Sequence, residues 1–130
     1  MPMHGPPVVD RQHRRTVTAW LLAQARREPQ HAQRWLYLQA AHVVGQPELR
    51  LHARVHGQML LLAWRQRDAG EILGQLMRLV LTPMGHLSGR LPAGNSGRSD
   101  VSAFATMDPG PALAAVITRA RQECIAAHGP

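Results

Sequence analysis

The sequence predicts an all-α fold, an antiparallel array of about five helices with a long Gly/Pro-rich loop before the last one. Three observations carry this. Leucine, alanine, glutamine and arginine dominate, and all of them favour helix. Alternating period-two stretches are nearly absent, and only 4% of residues are aromatic. The apolar positions instead recur at steps of three and four residues.

The first helix is expected from about Asp10, a plausible cap, to Arg27, with Val17, Trp20, Leu21 and Ala25 on its apolar face. Glu28-Pro29 ends it, because a residue before proline is pushed out of helical angles. The second runs from about Gln30 to Val44, where Gly45 is a natural stop. The third opens at Pro47, suited to a first helical turn, and reaches about Arg67. Asp68 through Glu71 has the spacing of a capping box, so a fourth helix starts at Ala69. It is expected to end at Leu81, before Thr82-Pro83, with Ile72, Leu73, Leu76, Leu79 and Val80 as its buried stripe. A loop over 82–110 follows, rich in glycine, proline and serine. The last helix starts at Asp108-Pro109 and ends near Ala127, with Leu113, Val116, Ile117 and Ala120 inward.

This gives a flexible N-terminus over 1–9, one helical domain over 10–127 and a short tail over 128–130. The paired helices suggest hairpins of the tetratricopeptide kind, although no 34-residue self-similarity is visible. At 130 residues one core suffices.

The charge is unusual in kind. All fifteen basic residues are arginine, against eight acidic ones, for a net charge of +7. With no lysine there is no Schiff-base chemistry and no P-loop lysine. The single cysteine, Cys124, excludes an intramolecular disulfide and a cysteine-cluster zinc site. Its helical spacing from Ile117 and Ala120 reads as a buried, inert thiol. No signal peptide or membrane span is visible, so a soluble cytoplasmic protein is expected. Neither Gly-x-Ser-x-Gly nor His-Glu-x-x-His is present, and an enzymatic role would have to run through the histidines.

The eight histidines locate the chemistry. On the third helix, Arg50, Arg54, Gln58 and Arg65 cluster on one side at 100° per residue. His52 and His56 therefore lie on the opposite, buried face, one turn apart. On the second helix Trp35, Leu38 and His42 share a face, so His42 also points inward. A short connection packs the two helices antiparallel and brings His42 to the start of the third. Three imidazoles could then converge on a transition metal ion such as zinc, copper or nickel. Glu48, Met59 and His86 are candidate fourth ligands. The competing reading is a set of core histidines hydrogen-bonded to their neighbours. A ferritin-like di-iron centre is disfavoured, because Gln39 stands where Glu-x-x-His42 would need a carboxylate.

Two further features are weaker. The segment Gly89 to Arg98 offers backbone donors for an anion, but matches no phosphate-binding fingerprint and reads better as a packed loop. Arg11, Arg14 and Arg15 open the first helix, yet the arginines are spread over four helices without interleaved aromatics. Nucleic acid is disfavoured as a partner; a protein partner or a second copy of the chain is the better expectation.

Several ordered motifs resemble a known family. They are Ala41-His42-Val43-Val44-Gly45-Gln46, His52-Ala53-Arg54-Val55-His56 with Met59-Leu60, Glu71-Ile72-Leu73-Gly74-Gln75, and Gly89 through Gly97. Together they look like the bacterial family known as domain of unknown function 3703, over about Leu22 to Pro111. The chain departs from that pattern at Gln39, where glutamate is usual, and at Arg98-Ser99-Asp100, where smaller residues are usual. The resemblance implies a small protein without an assigned activity, encoded near heavy-metal resistance functions. It also implies that His42, His52 and His56 belong to the family's own pattern.

Overall fold

A computed structural model describes residues 11–88, 98 and 110–128. It holds five helices and, among the described residues, no strand: α1 (Arg11–Arg27), α2 (His31–Gly45), α3 (Leu49–Arg65), α4 (Ala69–Ser88) and α5 (Gly110–His128). The all-α expectation holds. The proposed cap Asp10 and most of the segment Gly89 to Arg98 lie outside the described residues.

Short connections fold the chain into two hairpins, α1 with α2 and α3 with α4, and α5 packs against α1 and α2. The direction of α2 against α3 follows from two contacts. Trp35 near the start of α2 donates from Nε1 to Gln66 Oε1, 2.7 Å away, just past the end of α3. His42 near the end of α2 meets His52 near the start of α3. The helices are therefore antiparallel.

The apolar core lies where α1, α2, α3 and α5 meet. Val17, Leu21, Trp35, Leu38, Met59 and Ile117 are among its buried members. Leu113, Ile117 and Ala120 of α5 point inward as expected. Cys124 is buried there, and burial, with Glu123 beside it, pushes its thiol pKa up. The inert reading of that thiol therefore stands on physical grounds.

Two glycine and capping expectations change. Gly45 is the last residue of α2, and its value is close approach. A Cβ there would lie 3.2 Å from Leu51 Cβ and 3.3 Å from the Thr18 side chain. A Cβ would therefore be tight against both neighbours, and glycine lets the α2–α3 corner press closely onto α1. Helix α3 ends at Arg65, not Arg67, in a Schellman-type turn. Arg67 N donates to Trp64 O, Asp68 N donates to Ala63 O, and Arg67 adopts φ 55°. Asp68 then caps α4 through its side chain, accepting from Glu71 N at 3.1 Å.

Helix α4 departs most from expectation. It continues through Pro83 to Ser88, so residues 82–88 belong to a helix and not to the loop. Pro83 lies on the exposed side, where water can satisfy the carbonyl that proline leaves without a donor. The hydroxyl of Thr82 donates to Arg78 O at 2.6 Å, reinforcing the turn just before it. Helix α4 is also turned over. Its buried residues are Glu71, Gln75, Arg78 and Thr82. Of the predicted buried stripe, Leu73, Leu76 and Val80 are exposed, and Ile72 and Leu79 are only half-buried.

Candidate metal centre

The polar face that α4 turns inward meets the histidines of α2 and α3. His42, His52 and His56 are all buried, as their helical phase requires. His52 Nε2 lies 3.1 Å from His42 Nε2 and 3.1 Å from His56 Nε2. One ligand atom from each of the three rings falls within 4.8 Å of the others. The three predicted residues are thus brought to one point.

The two distances to His52 Nε2 are close to those of a metal-binding geometry. Ligand nitrogens at 2.0–2.1 Å from a tetrahedral ion are separated by about 3.3 Å from one another. Hydrogen bonding explains the arrangement less well. A neutral ring nitrogen has one proton or one in-plane lone pair, so His52 Nε2 cannot bond well to two nitrogens in different directions.

The outer nitrogens show which way the lone pairs point. Gln75 Nε2 donates to the carboxylate of Glu71 at 3.0 Å, because a carboxylate can only accept. Gln75 therefore presents Oε1 to His56 Nδ1, 2.7 Å away. Only an N–H can donate there, so the His56 proton is on Nδ1 and its Nε2 lone pair faces His42 and His52. On the other side His52 Nδ1 lies 3.1 Å from His86 Nε2. The Gln46 backbone also acts on His86, favouring its protonated form. In the tautomer in which His52 Nδ1–H donates to His86 Nε2, the His52 Nε2 lone pair faces inward. Orientation of ligating histidines by such outer partners is the usual way a protein fixes the ligand tautomer.

Electrostatics act in the same direction. Burial, reinforced by the neighbouring rings of His56 and His86, pushes the His52 pKa down to about 3. Burial also pushes His56 down to about 4; Arg78 adds to this, while the Gln75 hydrogen bond and Glu71 oppose it. His86 is lowered by burial too. At neutral pH His52 and His56 are therefore uncharged, the form of imidazole that can bind a metal.

The three candidate fourth ligands separate clearly. Glu48 is engaged elsewhere, 3.2 Å from Arg15, 3.7 Å from Arg14 and 3.8 Å from Arg11, and ties the start of α1 to the start of α3. That cluster also occupies the arginines that open α1. Met59 is fully buried within the apolar core. His86 reaches the site because α4 continues past Pro83, but it stands behind His52, on the Nδ1 side.

Sequence reasoning missed the outer groups. The sequence presents Glu71 as half of a capping box and Glu71 and Gln75 as part of a family motif, with neither assigned to the histidine site. Arg98 was assigned to a loop. It lies 3.7 Å from Glu71 Oε1, with its guanidinium 4.1 Å above the Trp35 ring centroid. The available signal was helical phase: Glu71, Gln75, Arg78 and Thr82 follow steps of three and four, as a buried face does.

The comparisons with known proteins agree with the resemblance. The family model described as "Protein of unknown function (DUF3703)" matches residues 12–117, and the chain belongs to that family. No curated protein and no solved structure matches it.

Proposed function

We propose that the protein binds a transition metal ion through Nε2 of His42, His52 and His56, in metal handling or tolerance. One observation carries this reading: three buried imidazoles converge on a point while Gln75 and His86 engage the outer nitrogens of two of them. Imidazole suits zinc, copper and nickel, and no carboxylate is among the three ligands, in keeping with Gln39. Three protein ligands leave one corner of a tetrahedron for water or an exchanging donor. That arrangement suits transfer as well as storage. Glu71, Gln75 and Arg98 would serve as the outer shell, holding the site without touching the ion.

The direct test is the metal content of purified protein, with its affinity for zinc, copper and nickel. About one ion per chain is expected for the natural sequence. His52→Ala and His56→Ala should each weaken that binding strongly. Retention of the same stoichiometry and affinity in both variants would refute the assignment.

A further inference from the structure

The outer face of α4 presents a second, unrelated problem. By turning its polar side inward, α4 leaves its apolar side in water. Leu73 is 62% exposed, Val80 69% and Leu87 90%, with Leu76, Met77 and Met84 between them. From Leu73 through Leu76, Val80 and Met84 to Leu87, the steps are three or four residues, a continuous stripe along one helix. Trp64, 68% exposed, and Leu61 extend it onto α3. Between the two helices runs a groove of about 490 Å³, lined by Gly57, Leu60, Leu61, Trp64, Ile72 and Leu76.

We propose that two copies of the chain associate through this face, each packing the α4 stripe and Trp64 against the other. Area is the first argument. The stripe with Trp64 and Leu61 leaves on the order of 1,000 Å² uncovered on each copy, above the roughly 800 Å² per partner of a standard interface. Monomeric proteins seldom leave so large an apolar patch in water.

Charge is the second. A chain of net charge +7 repels its own copy, so self-association is favoured through the surface with the fewest charges. The exposed faces of α1 and α5 carry arginine, and on α3 Arg54 and Arg65 border Leu61 and Trp64 at the edge of the face. No exposed residue of α4 is charged, because its two charged side chains, Glu71 and Arg78, are buried.

The same feature disfavours a membrane surface. An interfacial helix places cations beside its apolar face, at the level of the lipid headgroups. The polar side of α4 is directed into the protein instead. The stripe is also self-complementary in the way a two-fold interface requires, with aliphatic side chains at helical steps and a groove beside them.

Sedimentation of the full chain with a chelator present tests this without interference from metal bridging. A dimer at micromolar concentration is expected. Leu73→Asp and Val80→Asp should each abolish it while helical circular dichroism stays unchanged, since both side chains are exposed in the single copy. Dilution of the natural sequence should red-shift its tryptophan emission, and Trp64→Phe should remove that shift. A monomeric natural sequence would overturn the proposal, whether residues 99–109 cover the face or nothing does. So would a monomer that sediments with anionic vesicles, or a dimer that persists in both aspartate variants. If the aspartate variants lose helicity, absence of a Trp64-dependent shift in the natural sequence overturns it instead.

Discussion

The chain has two interiors built on opposite principles. Where α1, α2 and α5 meet the apolar side of α3, the buried groups are almost entirely apolar, and shape and water exclusion hold them. Where α2, α3 and α4 meet, the buried groups are three histidines, Glu71, Gln75, Arg78 and Thr82. Burying polar groups costs free energy unless each is partnered. The first interior contributes the stability, and the second draws on it. The contrast separates an interior held by water exclusion from one that buries polar groups at a cost. Three imidazoles are packed against one another in the second, with the Nε2 atoms of His42 and His56 each 3.1 Å from that of His52.

The largest expected effect would break the apolar interior. Leu21 is fully buried, and Leu21→Ala should cost about 2–5 kcal/mol in a urea titration. His52→Ala, at a position that is also buried, should cost only about 1 kcal/mol in metal-free protein, because it removes one crowded polar group. Equal losses at the two positions would erase the distinction between the interiors.

Acid should affect the polar interior selectively. Unfolded histidine takes a proton near its ordinary value of 6.5, whereas folded His52 and His56 refuse it until about 3 and about 4. Between those values the unfolded chain holds more protons, so stability falls as pH falls. Metal-free protein should lose on the order of a few kcal/mol from pH 6.5 down to 3, and the double variant His52→Ala/His56→Ala should lose clearly less. Parallel pH profiles would contradict the assignment of buried neutral imidazoles.

The smallest effect sharpens the role of the outer shell. Gln75→Leu removes the acceptor that places the His56 proton on Nδ1. Metal affinity should fall about 10–100-fold, the usual consequence of losing such a partner. Helicity should be retained. Unchanged affinity would mean that His56 needs no orientation from Gln75.

Much of this was legible in the sequence, and its limits are physical. Arg50, Arg54 and Arg65 marked the outside of α3 and so placed His52 and His56 inside. His42 followed from its phase with Trp35 and Leu38. Helix α4 was misread because periodicity identifies an apolar face without saying what covers it. Leu73 and Val80 form such a face, yet it is the opposite one, with Glu71 and Gln75, that meets α3. Pro83 was read as a stop because proline lacks an N–H and clashes inside a helix. On the exposed side of α4 that loss is tolerated, and one further turn delivers His86 to His52. Arg98 could not be placed from local pattern at all, because its stacking on Trp35 joins segments far apart in the chain.

The central claim is that three imidazoles share one ion. X-ray absorption of the zinc-loaded protein reads this directly. The account predicts three imidazole nitrogens at about 2.0 Å, falling to two in His42→Ala. A first shell of oxygen ligands alone, or one unchanged in His42→Ala, would contradict it.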